Sequence, residues 1–140
     1  MRFYFLLYAL VLVTFSGIAQ LENSAVDQRL LEVYSTEQIA NMTTNQPQSL
    51  AYLNYYVKNA YQVLTDIPES KWIHFKDISE INYSKTGEKL TAADFNDLNI
   101  LKLDIVRKQE EYLTYRVGET GTVIVFIAPR VLIEQFNSLK

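Results

Sequence analysis

Residues 112–128 constrain the fold more than any other part of the sequence, because they predict a β-hairpin with one thoroughly apolar arm. The first arm, residues 112–117 (YLTYRV), alternates between two faces as a half-buried strand does. Residues 118–121 (GETG) supply two glycines, which accept positive φ and suit a tight turn. The second arm, residues 122–128 (TVIVFIA), is apolar on both faces, which predicts a strand that is covered on both faces or flanked on both edges.

Two other interpretations of this stretch are weaker. A buried helix can also be apolar all round, but the short length and the Val, Ile and Thr content of residues 122–128 favour a strand. The GETG turn lacks the spacing and the Lys-Ser/Thr pair of a phosphate-binding loop, and it does not lead into a helix. The hairpin is therefore expected at the centre of a sheet.

Residues 1–19 have the three-part pattern of a cleaved secretory signal peptide. Arg2 provides a positive charge, residues 3–15 are almost purely apolar, and Gly17 and Ala19 match the small residues of a cleavage site. The apolar run is shorter than the roughly 20 residues that span a bilayer, so an uncleaved anchor helix is the less favoured alternative. The segment resembles export signals of Gram-negative bacteria, and we expect a mature chain that lies in the periplasm or is secreted.

Residues 20–140 are expected to form a single domain, since this length is ordinary for one hydrophobic core. The sequence has no cysteine, so neither a disulfide nor a lipidated cysteine contributes to the mature protein. The net charge is −3 and no run of basic residues occurs, which argues against nucleic acid and against adhesion to anionic lipid. After cleavage of the signal peptide we expect no stable membrane insertion.

Two short helices are predicted at the start of the mature chain. Ser24 can cap the first helix, which ends near Tyr34. Ser35 and Gln38 form a capping box for the second helix, which ends near Met42.

A longer helix over residues 47–64 is the strongest helical prediction. Pro47 suits its first position, because the missing N–H of proline costs nothing there. Its apolar face is formed by Leu50, Leu53, Val57, Ala60 and Leu64, and its polar stripe by Asn54, Lys58, Gln62 and Thr65. A C-terminal helix over residues 130–139 directs Leu132, Phe136 and Leu139 inward.

Strands are also predicted at residues 71–78 and 100–106. A meander of residues 100–106, 112–117 and 122–128 would leave the most apolar strand at an edge, where it would promote aggregation. Placing the 71–78 strand beside residues 122–128 removes this hazard. We therefore predict an α+β fold in which N-terminal helices pack on a four-stranded, mainly antiparallel sheet, with a short C-terminal helix.

The tyrosines on the long helix allow two interpretations. Tyr52, Tyr55, Tyr56 and Tyr61 lie between its apolar face and its polar stripe. In the first interpretation they bound the core, since tyrosine buries its ring and keeps its hydroxyl in water. In the second they form a surface that binds a partner.

No catalytic, metal-ligating or cofactor-binding residue is predicted. His74 is the only histidine and lies beside Trp72 with no partner visible in the sequence, so a structural or surface role is favoured over acid–base catalysis. One histidine and no cysteine make a zinc site improbable. The segment that starts at Asp94 lacks the glycine and the final glutamate of a calcium loop.

The sequence supports three functional hypotheses in decreasing order. The first is a small exported envelope protein that acts as a non-catalytic protein-binding or accessory module. The second is an α+β domain that binds a small apolar ligand in a pocket lined by Trp72, Phe75 or Tyr115, and the third is a hydrolase-like enzyme. The candidate binding residues are Tyr52, Tyr55, Tyr56, Trp72 and His74.

Overall fold

The computed structural model describes residues 25–140, apart from the side chains of Asn96 and Asp97. The predicted signal peptide, residues 1–19, and the Ser24 cap lie outside the described residues. Within the described part, the helices are α1 (Gln28–Leu31), α2 (Thr36–Asn45), α3 (Pro47–Asn59), α4 (Glu69–Trp72) and α5 (Pro129–Ser138). The strands are β1 (Tyr61–Leu64), β2 (Lys76–Asp77), β3 (Asn82–Tyr83), β4 (Leu103–Asp104), β5 (Leu113–Arg116) and β6 (Val123–Phe126). The predicted α+β class is confirmed.

Four of these strands form the main sheet in the order β1-β6-β5-β2. β6 pairs antiparallel with β1 and with β5, so that Phe126 lies opposite Tyr61 on one side and Leu113 on the other. β2 pairs in parallel with β5. The sheet is therefore mainly antiparallel, as predicted, while β3 and β4 form a separate antiparallel pair.

The predicted hairpin is confirmed as β5 and β6. Its turn is closed by a hydrogen bond from Val117 N–H to the carbonyl of Thr122 at 2.9 Å. Gly118 and Gly121 both have positive φ, which explains the two glycines of the turn. The apolar character of β6 follows from its central place, because it has a neighbouring strand on each edge.

The predicted strand at residues 71–78 is wrong for most of its length. Backbone hydrogen bonds from Lys71 to Pro68 and from Phe75 to Trp72 wind this segment into α4 and a further turn. Only Lys76–Asp77 is extended, and it pairs with β5 rather than with β6. Pro68 favours this outcome, because its fixed φ suits the start of a helical turn.

The neighbour of β6 is instead β1, which comes from the end of the predicted long helix. α3 ends at Asn59, and Ala60 N–H closes it on the carbonyl of Tyr56 at 2.9 Å. Residues 61–64 continue the apolar spacing of α3. Pairing with β6 instead gives their backbone groups hydrogen-bond partners and covers one edge of the apolar strand β6. The predicted strand order is therefore wrong, because the strand beside β6 is residues 61–64, and residues 71–78 supply only β2, which lies beside β5.

The predicted strand at residues 100–106 is also largely wrong. Asn99 caps a 3₁₀ turn at Ile100–Lys102 by accepting a hydrogen bond from Leu101 N–H at 3.1 Å. Only Leu103–Asp104 is extended, and it pairs with β3 outside the main sheet.

The predicted starts of α2, α3 and α5 are confirmed, whereas the first helix starts later than predicted. Ser35 and Gln38 form the predicted capping box, with hydrogen bonds of 3.2 and 2.8 Å, although α2 continues to Asn45. Pro47 and Pro129 occupy the first positions of α3 and α5. α1 begins after Asp27 and is shorter than predicted.

Two buried clusters make up the core. The larger lies between the main sheet, α5 and residues 78–105, with these members fully or almost fully buried: Ala60, Ile78, Ile81, Leu90, Leu98, Ile124, Phe126 and Leu132. The smaller joins the N-terminal helices through Leu30, Ile39, Leu50 and Val57. Leu139, expected inside, is exposed because α5 ends at Ser138. No helix among residues 25–140 is both long and apolar enough to cross a membrane.

Candidate functional site

The outer edge of β1 is a row of backbone groups that no strand covers. β1 stands at the end of the sheet order, with β6 on its inner side. Ile127 N–H donates to the carbonyl of Ala60 at 2.9 Å, and antiparallel pairs alternate along a strand. Gln62 and Leu64 therefore direct their backbone groups to β6. Tyr61 and Val63 direct theirs outward, where no backbone partner lies within the described residues.

The side chains of β1 do not protect this edge. The strand carries no charge, proline or bulge, and Val63 and Leu64 are 45% and 44% exposed. Proteins usually blunt an exposed edge with such features, because a bare edge pairs readily with another chain. β1 therefore has the properties of a strand that pairs with a further segment.

The opposite edge of the same sheet is protected. β2 is only two residues long, and both residues are charged. Asp77 Oδ2 forms an ion pair with Arg116 Nη1 at 3.3 Å, and Lys76 Nζ forms one with Glu80 Oε2 at 3.5 Å. The contrast between β1 and β2 indicates that the bare edge is a specific feature of β1.

An open groove of about 610 Å³ lies beside the start of β1. It is formed by the end of α3, the start of β1, the residue before β5 and one face of α5. Its lining mixes tyrosine rings, amides and one cation: Tyr55, Lys58, Asn59, Tyr61, Gln62, Tyr112, Ile127, Val131 and Gln135. We call this feature the tyrosine groove. Two of its residues, Tyr61 and Gln62, belong to β1, so groove and bare edge form one continuous surface.

The predicted binding tyrosines pack mainly between α3 and α5. The Tyr52 ring meets the Phe136 ring edge-on with centroids 5.4 Å apart, and Tyr55 packs on the same ring at 5.5 Å. Burial raises the pKa of Tyr52. All three predicted residues are half-buried, but only Tyr55 lines the groove, where its hydroxyl donates to Gln135 Oε1 at 3.1 Å.

Tyr56 binds the guanidinium of Arg107. Arg107 Nη1 donates to the Tyr56 hydroxyl at 2.5 Å, and Arg107 Nη2 donates to the carbonyl of Ile127. The guanidinium also lies 5.5 Å from the centre of the Tyr56 ring, in cation–π range. Arg107 Nε is buried and has no hydrogen-bond partner within the described residues. Arg107 thus joins α3 to the end of β6.

Trp72 and His74 lie apart from the tyrosines. Trp72 Nε1 donates to the carbonyl of Ile67 at 2.8 Å, and its ring packs beside Gly121 at the hairpin turn. The His74 side chain is exposed, and within residues 25–140 no described carboxylate is hydrogen-bonded to it. Neither residue lines the tyrosine groove.

The carboxylates with lowered pKa values have structural partners. Hydrogen bonds from Arg29 lower the pKa of Asp27 to about 2, and the Lys102 ammonium at 2.5 Å lowers that of Glu32. The backbone N–H and the hydroxyl of Thr91 both donate to the Asp94 carboxylate, which closes the turn after residue 91. These hydrogen bonds lower the pKa of Asp94. Among the side chains that the structure describes, no group of three His, Asp or Glu residues could hold a metal ion.

Sequence reasoning missed β1 because its residues extend the apolar spacing of α3. The signal that could have found it is the run QVLT, which is rich in strand-forming residues and directly precedes the turn at Asp66 and Pro68. A strand there would also have supplied the neighbour that the apolar β6 requires.

The chain matches no protein-family model, and comparisons with curated proteins and with solved structures gave no match either. Function is therefore inferred from the geometry and chemistry of the described residues.

Proposed function

We propose that this chain is a small exported envelope protein that acts as a non-catalytic protein-binding module. It takes up an extended segment of a partner protein as an additional strand along β1. The observation that carries the proposal is the bare, uncharged edge of β1 beside the tyrosine groove, on a sheet whose other edge is short and charged.

Strand addition uses two kinds of contact. The outward N–H and C=O groups of Tyr61 and Val63 would pair with the backbone of the added segment. This pairing provides affinity that does not depend on the amino-acid sequence of the segment. Alternate side chains of the segment lie on the face of the sheet that carries the groove, where shape and chemistry provide specificity.

The residues that line the tyrosine groove indicate which side chains the added segment would carry. Tyrosine rings suit apolar or aromatic side chains, and the amides of Asn59, Gln62 and Gln135 can hydrogen-bond to polar groups. Lys58 is the cation among the groove residues, so an acidic residue at one end of the segment would be favoured. An extended, mainly apolar segment with one acidic flank meets these conditions.

A small apolar ligand is less well supported. That hypothesis required a pocket lined by Trp72, Phe75 or Tyr115, and the tyrosine groove includes none of them. Its mixed polar lining and open shape suit a polypeptide better than a wholly apolar molecule.

The test is photo-cross-linking in the cell envelope. The full chain carries a photoreactive amino acid at Leu64, and a matched chain carries it at the exposed Glu88, which pairs with β3 outside the main sheet. Val63→Pro is then added to the Leu64 chain. Since the N–H of Val63 points away from β6, proline leaves the β6 ladder intact and blocks the outer edge.

We expect a defined protein adduct at Leu64, little at Glu88, and loss of the adduct with Val63→Pro at an unchanged far-ultraviolet circular dichroism spectrum. Equal labelling at Leu64 and Glu88, or an adduct that survives Val63→Pro in a folded chain, would contradict the proposal. Replacing Tyr52 would not be informative, because its half-buried ring packs on Phe136 and its loss would destabilise the fold.

A further inference from the structure

We propose that the strand taken up at β1 is β1 of a second copy of this chain, so that two copies form one continuous sheet around a twofold axis. The inference depends on the proposed function, because it names the partner of the same edge. Three independent features of the β1 surface support it: the register, the position of Leu64, and the charges at the two ends of the strand.

The register follows from the outward backbone groups. An antiparallel copy satisfies all of them when Tyr61 pairs with Val63 of the second copy and Val63 pairs with Tyr61. The axis then passes beside Gln62, which faces Gln62 of the second copy as a non-hydrogen-bonded pair with Cα atoms about 4.5 Å apart. The regular β1 ladder ends at Leu64, and Asp66 follows with a positive φ of 59°, so the pairing is limited to these residues.

The apolar surface is self-complementary in this register. Leu64 lies opposite position 60 of the second copy, where α3 ends and β1 begins, because Ala60 still has helical backbone angles (φ −68°, ψ −14°). The carbonyl of Ala60 accepts a hydrogen bond from the N–H of Ile127, and Ile127 lines the tyrosine groove. The exposed Leu64 of each copy is thus brought to the groove of the other, and the twofold axis creates both contacts at once.

The charges are complementary as well. Lys58 precedes β1 and Asp66 follows it, and both side chains are exposed. Neither forms an ion pair within the described residues. An antiparallel copy brings the start of each β1 to the end of the other, so Lys58 in the last turn of α3 and Asp66 after β1 of the second copy lie at the same end of the joined strands. β1 itself is uncharged, so no like charges meet at the axis.

A single introduced thiol tests the register. The sequence contains no cysteine, so Gln62→Cys provides the sole thiol of the chain. The expected Cα separation of about 4.5 Å lies within the range of a disulfide. Leu64→Cys is the matched control, because it is exposed on the same strand but lies about 13 Å from its own copy in this register. The full chain is expressed in an oxidising compartment and examined on non-reducing gels.

We expect a disulfide-linked dimer with Gln62→Cys and at least ten-fold less with Leu64→Cys. Equal cross-linking of the two variants, or none with Gln62→Cys, overturns the register and with it the proposed dimer.

A charge exchange at the axis provides a second test that does not depend on a thiol. Gln62→Lys places two ammonium groups opposite each other, and Gln62→Glu places two carboxylates there. Each variant alone should elute as a monomer with an unchanged circular dichroism spectrum, while an equimolar mixture should recover the dimer mass in light scattering. The expected weakening in each single variant is roughly ten-fold or more.

The outcomes separate this inference from the proposed function. A wild-type chain that stays monomeric at every concentration, or single variants that dimerise like the wild type, overturns the twofold pairing. If the Leu64 photo-adduct nevertheless contains a different protein and is lost with Val63→Pro, strand addition at β1 holds and only the second copy is excluded. If the adduct also fails to form, both proposals are wrong.

Discussion

The Asn54 side chain accepts a hydrogen bond from the backbone N–H of Asp27 at 2.8 Å, which joins α3 to the start of α1. Asn54 is only 6% exposed and stands among the apolar residues of the smaller core cluster. The N–H of Asp27 is partly buried and finds its partner in this single amide, which fixes where the N-terminal segment crosses α3.

Asn54→Ala should lower the free energy of unfolding by about 1–3 kcal/mol, because it leaves the N–H of Asp27 without a partner. Asn45→Ala is the control, since Asn45 is an exposed asparagine in a neighbouring helix and its replacement should change stability by less than about 0.5 kcal/mol. Urea denaturation of both variants measures the difference. Equal effects would show that the Asn54 hydrogen bond contributes no stability.

Asp27 should make stability depend on acidity below pH 4. Hydrogen bonds from Arg29 lower the pKa of Asp27 from 3.8 to about 2, so the folded state favours the carboxylate. Its contribution is therefore complete above the unfolded pKa of about 4 and is lost as the pH falls through about 2. After allowance for solvent screening we expect about 1 kcal/mol.

The measurement compares the wild type with Asp27→Asn, which keeps a good helix cap and removes the charge. The difference in unfolding free energy should be constant between pH 5 and pH 7 and should shrink towards pH 2. A difference that does not vary with pH would exclude the charge of Asp27 as its cause.

Tyr56→Phe should destabilise the fold more than Tyr55→Phe. The Tyr56 hydroxyl accepts from the guanidinium of Arg107, and its loss leaves Nη1 without that partner beside the unpaired Nε. We expect about 1–3 kcal/mol for Tyr56→Phe and less than about 0.5 kcal/mol for Tyr55→Phe, whose hydroxyl bonds to Gln135 at the surface. Thermal and urea unfolding measure both, and a larger loss for Tyr55→Phe would refute the assignment.

Ile124→Ala should test whether β6 is the centre of the core. Ile124 is fully buried between β1 and β5, whereas Ile73 is 83% exposed after α4. Truncation should cost about 2–5 kcal/mol at Ile124 and less than about 0.5 kcal/mol at Ile73. Similar losses at both sites in calorimetry would be incompatible with this arrangement.

Local sequence signals predicted the starts of α2 and α3 and the hairpin because each depends on nearby atoms. The Ser35 capping box closes within three residues, and Pro47 acts through its own ring. The hairpin needs only two glycines and a strand on each side. Such features are encoded where they occur and do not depend on the rest of the chain.

The strand at the candidate site could not be predicted in the same way. Residues 61–64 have apolar spacing that suits a helix, and their extended form depends on β6, which is distant in sequence. Trp72 likewise sits in a helical turn because Pro68 and the Ile67 carbonyl fix it there, against the alternation of its neighbours. Of the five candidate binding residues, the groove includes Tyr55, which its place near the end of α3 brings beside β1.

The position of β6 has a consequence for how the chain reaches its fold. β6 is the last strand along the described chain and yet lies between β1 and β5. During synthesis, residues 61–64 are made well before β6, so the pairing of β1 is non-local and forms only after the hairpin has been synthesised. Formation of the hairpin then gives residues 61–64 their partner strand, so the same event that completes the sheet also creates its bare edge.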